Sequence, residues 1–216
     1  MRVDEQQFAL AGAGRTARRR GRLRFGCLLG LAMAALLAPF AHAEAPTLPN
    51  AVEAGQRAQR LEALFRRLTS TDDAIEGDTI VDEIWRVWLQ SGRAEIDELM
   101  QNALVLLEAG KPLAAMTRLD QIVQQAPDWA EGWNKRATVL YLLDEYDRSL
   151  ADIDRVLALE PRHFGALAGR GLIHIAREDY RAALDDYRRA RAANPFLKGA
   201  AEIIPSLERK AGERPL

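Results

Sequence analysis

Cysteine is almost missing from this 216-residue chain, where Cys27 stands alone. A single thiol excludes an internal disulfide, and a thiolate metal site needs several. Histidine is nearly as scarce, with three in all, and none sits in an H-E-x-x-H spacing. No glycine-rich phosphate loop and no G-x-S-x-G elbow occurs either. These gaps remove the common routes to metal, phosphoryl-transfer and serine-nucleophile chemistry. No apolar run reaches the roughly 20 residues that span hydrocarbon comfortably. The longest uncharged apolar stretch runs from Phe25 to Phe40.

That stretch has a context. Arg15, Arg18, Arg19, Arg20, Arg22 and Arg24 precede it, and Ala41-His42-Ala43 follows, with Glu44 next. Basic region, short apolar core and small-x-small site, in that order, describe a secretory signal peptide over residues 1–43. A periplasmic location is therefore expected. The alternative is an uncleaved inner-membrane anchor facing the periplasm, since the basic flank stays in the cytoplasm either way. Gly21 and Arg22 do not suit a twin-arginine signal, and Cys27 opens the apolar core instead of closing it, unlike a lipid-modified cysteine. Of 30 basic and 31 acidic residues, seven and two lie within residues 1–43, leaving 23 and 29, a net charge of −6. So acidic a remainder lacks the electrostatic footprint of a nucleic-acid binder.

Internal repetition decides the fold. Pro127, Pro161 and Pro195 stand 34 residues apart. The same step aligns Leu99, Trp133 and Leu167 as a large apolar column, and Ala103, Ala137 and Gly171 as a small one. Ala115, Ser149 and Ala183 form a second small column, and Leu119, Ile153 and Tyr187 a second large one. Apolar residues three and four apart within each unit predict two amphipathic helices. In the middle unit they run about Ala130 to Leu143 and Tyr146 to Leu159. Each proline ends the second helix, and small residues mark where the two helices cross closely. The units span 96–129, 130–163 and 164–197. Residues 51–95 read as a further helix pair, a degenerate repeat in the same phase, with Phe65, Val81, Trp85 and Trp88 on its apolar columns. Residues 198–210 read as a capping helix, kinked or restarted at Pro205.

The spacing, with Trp133, Ala137, Tyr146, Ser149, Val156 and Pro161, resembles the tetratricopeptide repeat, and the third unit (Gly171, Tyr180, Ala183, Tyr187, Ala190, Pro195) resembles it more closely. More loosely, the chain is similar to small exported tetratricopeptide proteins of Gram-negative bacteria. Arg136 and Arg170 depart from the family's usual leucine and are expected to weaken one packing column. The resemblance implies an all-α solenoid of helical hairpins whose first helices line a concave groove for an extended peptide or a helix. Carried onto this chain, that groove holds Met100, Leu104, Leu107, Asn134, Thr138, Tyr141, Leu172 and Ile175, with Asp97 and Glu131 at its rim. Relatives that clamp a C-terminal carboxylate use Lys, Asn and Arg here. Met100, Leu104 and Gly165 take such places, which disfavours that mode.

Catalytic residues are not expected. His174 shares a column with Leu106 and Leu140 and reads as a half-buried packing residue. His163 reads as a cap or a solvated turn residue, and Asp152, Asp154, Asp185 and Asp186 as a solvated face. Trp129 and Trp133 read as a joint between units. The implied function is a non-catalytic protein–protein interaction module, a periplasmic adaptor or scaffold. The alternative is an assembly or regulatory subunit of a membrane-associated envelope complex. The expected partner is another protein or peptide, with no nucleic acid, small-molecule substrate, cofactor or metal, and with membrane contact only through an uncleaved signal. The first 43 residues generate a direct test. Intact mass of the protein purified from its host should place the N-terminus at Glu44, and retention of residues 25–43 would contradict this.

Overall fold

The computed structural model describes residues 51–212. The leader expected over 1–43, and residues 44–50 and 213–216, lie outside the described residues. Among the described residues there are nine elements, all α-helices: α1 (Ala51–Ser70), α2 (Ala74–Trp88), α3 (Ala94–Glu108), α4 (Pro112–Gln125), α5 (Ala130–Leu142), α6 (Tyr146–Leu159), α7 (Phe164–Ala176), α8 (Tyr180–Ala193) and α9 (Ala200–Lys210). Pairs α3–α4, α5–α6 and α7–α8 are hairpins with the expected 34-residue period.

Each hairpin closes in the same way. Gly110, Asp144 and Glu178 hold φ at 68°, 60° and 61°. The following N–H of Lys111, Glu145 and Asp179 donates back to the carbonyls of Leu106, Leu140 and His174 at 2.8, 2.9 and 2.9 Å. A left-handed residue turns the chain so that the last helical carbonyls find donors. Only glycine takes that conformation without a Cβ penalty, so the second and third turns carry strain that the first avoids. The helices of a hairpin then cross at their small residues. Ala103, Ala137, Ala115, Ser149 and Ala183 are fully buried, and the Ser149 hydroxyl donates to the Ala137 carbonyl at 2.8 Å. A Cβ on Gly171 would sit 2.8 Å from the Tyr187 ring.

Successive hairpins are joined by an ionic ladder. The Arg136 guanidinium donates to both oxygens of Asp152 on its own hairpin, at 2.7 and 2.8 Å, and to Asp120 on the preceding hairpin at 3.0 Å. Arg170 repeats the pattern one period later, with Asp186 at 2.7 Å and Asp154 at 3.3 Å. Asp152 and Asp186 are buried. Two expectations are corrected here. These aspartates are not a solvated face, and Arg136 and Arg170 replace an apolar contact with bidentate pairing, the stronger form of charged hydrogen bond. Hydrogen bonding to the aspartates holds both guanidinium pKa values above their usual range. Trp133 is half-buried, with the Arg136 and Arg155 guanidinium groups 4.9 and 5.6 Å from its ring.

The N-terminal pair does not stack ahead of the first hairpin. Its turn, at residues 71–73, falls short of Glu76, the position one period before Gly110. Asp73 caps α2 by accepting from the N–H groups of Ile75 and Glu76. The apolar faces of α1 and α2, with Phe65, Leu68, Ile80, Ile84 and Trp88, share one core with Phe164, Leu167, Leu184, Ile204 and Leu207. They cross to the third hairpin and α9, and salt bridges Glu62–Arg162 at 2.8 Å and Asp78–Lys198 at 3.4 Å fasten the crossing. Helix α9 runs unbroken through Pro205, which sits outward while Ile204 and Leu207 face the core.

The ladder gives a stability test by urea unfolding. Arg136→Ala should cost about 3 kcal/mol, because it strands the buried Asp152 carboxylate. Replacing both partners, Arg136→Leu with Asp152→Leu, should stay within about 1 kcal/mol of the parent. A double variant as unstable as the single one would mean that the ladder supplies more than mutual compensation.

Candidate functional site

The structure divides the expected groove residues. Met100, Asn134, Thr138 and Tyr141 are buried, whereas Leu104, Leu107, Leu172 and Ile175 are half-buried. Met100 belongs to the first hairpin's core with Ile96, Ala103 and Leu119, and Leu104 and Leu107 pack against that core. Tyr141 and Leu172 meet in the core of the middle units, and Ile175 lies against the core of the third hairpin and α9. The Thr138 hydroxyl donates to the Asn134 carbonyl at 3.0 Å. Asp97 accepts from the Ser91 N–H at 2.8 Å.

Glu131, expected at the rim, is instead the centre of a buried polar cluster. It starts α5 and has no exposed side-chain surface. Its Oε2 accepts from the Asn134 amide at 3.0 Å, and the His163 Nε2 lies 3.0 Å away. The Lys135 ammonium, one turn along, lies 3.1 Å from Oε1. His163 caps α7, its Nδ1 accepting from the Ala166 N–H at 3.1 Å. That bond leaves Nδ1 without a proton, so Nε2 carries it and donates to Glu131. His163 thus caps as expected, but it is fully buried and not solvated.

Aromatic rings from α2 seal this cluster. Trp88 stacks on His163 at 4.0 Å between centroids and 10° between planes, and Trp85 meets His163 and Phe164 edge-on. Lys135 lies 5.6 Å from the Trp85 ring centroid. Trp85 fits because residue 165 is glycine, where a Cβ would come within 2.6 Å of the indole. The Trp129 N–H donates to the Trp88 carbonyl at 2.8 Å. A cleft of about 420 Å³ beside the cluster is lined by Arg57, Leu61, Trp88, Trp129, Glu131 and Arg162.

Burial governs the electrostatics. It pushes the Glu131 carboxyl up to about 8, although the Asn134 hydrogen bond works against that. It pushes the Lys135 ammonium down to about 7 and the His163 imidazole down to about 3. With both ring nitrogens engaged, the imidazole is a structural donor and not a proton shuttle. His174 is half-buried, 3.6 Å from Asp186. Among the described residues, no group of three or more histidine, cysteine or acidic side chains is placed to hold a metal ion, and no helix is long and apolar enough to cross a membrane.

Sequence reasoning missed the Glu131 cluster because its members stand on separate hairpins and α2, though in phase by sequence, crosses over them instead of stacking ahead of the first hairpin. The ladder did leave a signal: Asp120, Arg136, Asp152 and Asp154, Arg170, Asp186 are two runs with a spacing of 16.

No family model matches the chain. A TPR repeat-containing protein of Rhizobium etli is 38% identical over 157 residues, covering 72% of this chain and 77% of that protein. The protein SGT1 homolog of Bos taurus is 31% identical over 83 residues, which are 38% of this chain and only 25% of that protein. Among solved structures, the crystal structure of MamA protein covers 73% of this chain and 84% of its own, with TM-score 0.51 and 17% identity. The first TPR of Spaghetti (RPAP3) bound to an HSP90 peptide covers 55% and 94%, with TM-score 0.52 and 18% identity.

The buried cluster predicts a pH effect. Glu131 has a folded-state pKa near 8, above its ordinary 4.5. Its contribution is therefore fully present below about 4.5 and is lost as pH rises through 8. Lys135 is lowered from 10.5 to about 7, so its contribution is lost as pH falls through 7 and opposes that trend. Lys135→Met removes the opposing slope. Above pH 7 the lowered His163 adds no slope of its own, so the thermal midpoint of Lys135→Met should fall between pH 7 and pH 8.5, while Glu131→Gln with Lys135→Met should be flat over that window. Parallel profiles for the two variants would refute the assignment.

Proposed function

The chain belongs to the tetratricopeptide-repeat family, and from that premise we propose that it is a non-catalytic adaptor whose concave face holds a segment of another protein. The supporting observation is the half-buried apolar row Leu104, Leu107, Leu172 and Ile175 on the first helices of the outer two hairpins. Such a row suits an apolar helix or extended segment, with a few large side chains supplying most of the energy. The start of α5 does not take part, because Trp85 and Trp88 already occupy it. Displacing them would expose the core that α1 and α2 share with the third hairpin, so the ligand lane is the remaining, C-terminal part of the first helices. The similar fold whose name records a bound HSP90 peptide supports a protein ligand as the class.

We further propose that this adaptor works in the periplasm, delivered there by residues 1–43. The order of basic, apolar and small residues supports that reading. A photoreactive benzoylphenylalanine at Leu104 or Leu107 should crosslink one common protein in host cells, whereas the same group at the exposed Asp185 of α8 should not. Adducts at Asp185 alone would move binding to the convex face.

A further inference from the structure

Helix α1 lies across the joints between the hairpins, and a trough follows one of its edges. Ala54, Leu61, Phe65 and Thr69, spaced seven, four and four apart, form a single stripe of the helix, and that stripe borders two clefts in turn. The first is the cleft of about 420 Å³ beside the Glu131 cluster. The second, of about 440 Å³, lies between α1 and the end of α8. Glu62 and Arg162 line both, so the two join. From Ala54 to Thr69 the trough follows about 22 Å of helix, at about 1.5 Å per residue. Leu61, Phe65 and Leu167 give it an apolar lining, and Leu159 is left 40% exposed in the first cleft.

The two ends differ in charge. Arg66, Arg162 and Arg189 line the second cleft, with Glu62 the one acid among its lining residues. Arg162 is fixed in place and balanced. Its guanidinium lies 4.2 Å from the Phe65 ring centroid and donates to Glu160 at 3.1 Å and to Glu62 at 2.8 Å. Arg66 is exposed and forms no ion pair among the described residues. The carboxylate nearest Arg189 is Asp186 at 3.9 Å, which Arg170 already holds at 2.7 Å. Two weakly committed guanidinium groups thus flank one end of the trough, although residues 44–216 carry a net charge of −6. At the other end Arg57 donates to the Gln90 carbonyl, and Asp128 is exposed.

We propose that this trough binds an extended segment of a partner protein, apolar at the end near Leu159 and acidic at the end near Arg66 and Arg189. Length sets the form of the ligand. About 22 Å takes about seven residues of extended chain, far more than a free anion fills. Charge sets its polarity, because paired guanidinium groups suit carboxylates. In an extended segment alternate side chains point the same way, so the ligand presents apolar and then acidic residues two apart. Residues 44–50 fit poorly. They hold one acid, Glu44, and as the expected mature terminus it would bring an ammonium to the same arginines. A second copy would bring another chain of net charge −6 against this one. The trough exists because α1 crosses the hairpin joints, and it shares no residue with the row Leu104, Leu107, Leu172 and Ile175. Its test therefore does not depend on the concave lane.

The probe is the peptide Leu-Thr-Leu-Thr-Glu-Thr-Glu, capped at both ends, tagged with fluorescein and titrated by fluorescence anisotropy against the full chain. Saturable binding is expected. Arg66→Glu with Arg189→Glu should weaken it more than about tenfold, and Leu159→Asp should do the same from the apolar end. Both variants should keep the parent's thermal midpoint, because the altered side chains are exposed. Arg191→Glu, on α8 but outside the trough, should leave the affinity within about twofold. The same peptide with lysine in place of glutamate should not saturate. Failure of the acidic peptide to saturate by about 1 mM, or equal binding to the double arginine variant, would overturn the proposal. An equal loss from Arg191→Glu would also overturn it, by reducing the effect to diffuse charge. The other occupants have their own signatures. A chain starting at Ala51 that binds more than about tenfold better would assign the trough to residues 44–50. Self-association in sedimentation velocity, abolished by Arg66→Glu with Arg189→Glu, would assign it to a second copy. Either result refutes the partner segment.

Discussion

A two-helix hairpin can bury only one side of each helix by itself, and everything else in this molecule follows from what is found to cover the other side. The three regular hairpins solve the problem by stacking, so each needs the one before it. At the joints the chain adds charge to apolar cover: Arg136 and Arg170 each hold a buried aspartate of their own hairpin and an aspartate of the one before. Desolvating those ions offsets much of what their attraction returns. The ladder therefore acts mainly on register, since a hairpin slipped by one turn against the one before would part Arg136 from Asp120 and Arg170 from Asp154.

The first and last hairpins lack one neighbour each, and the N-terminal pair serves the last. Helices α1 and α2 cover the third hairpin and α9, and in crossing they place Trp85 and Trp88 over the start of α5. That placement turns one end of the expected groove into interior. It also places Glu131 and Asn134, expected at the groove, in a closed network with Lys135 and His163. The electrostatic consequence is that burial disfavours the charged forms of both the Glu131 carboxyl and the Lys135 amine, which lie 3.1 Å apart.

Much of the fold was legible because local rules and the global repeat agree. Prolines at the ends of second helices, small residues at crossings and the 34-residue columns each point to the same hairpins. The left-handed turns at Asp144 and Glu178 fall one and two periods after Gly110. The candidate groove was legible as a set of columns, but not as a surface. Met100 and Asn134 occupy equivalent register positions, yet one enters an apolar core and the other a polar cluster, because different neighbours cover them. The crossing of α1 and α2 left no periodic signal at all. Phe65, Trp85 and Trp88 lie in phase with the later apolar columns, and phase reports which residues need cover without reporting what covers them. Arg136 and Arg170 misled for a related reason, since a charge at a core position reads as a defect until its partners 16 residues away are counted.

The crossing also bears on how the chain acquires its shape. A pure solenoid is built from near-neighbour contacts and can zip up from any point. Here the helices that leave the ribosome first have their partners in α7 to α9, which leave it last, and Glu62 meets Arg162 across one hundred residues. Until residue 207 has been made, Leu68, Ile84 and Trp88 have no interior to enter. The nascent molecule therefore carries an exposed greasy hairpin through most of its synthesis, the kind of surface that invites chaperones or aggregation. Closing that long loop raises the contact order, the feature that slows folding, and it ties the N-terminal pair to the third hairpin and α9 through one shared core.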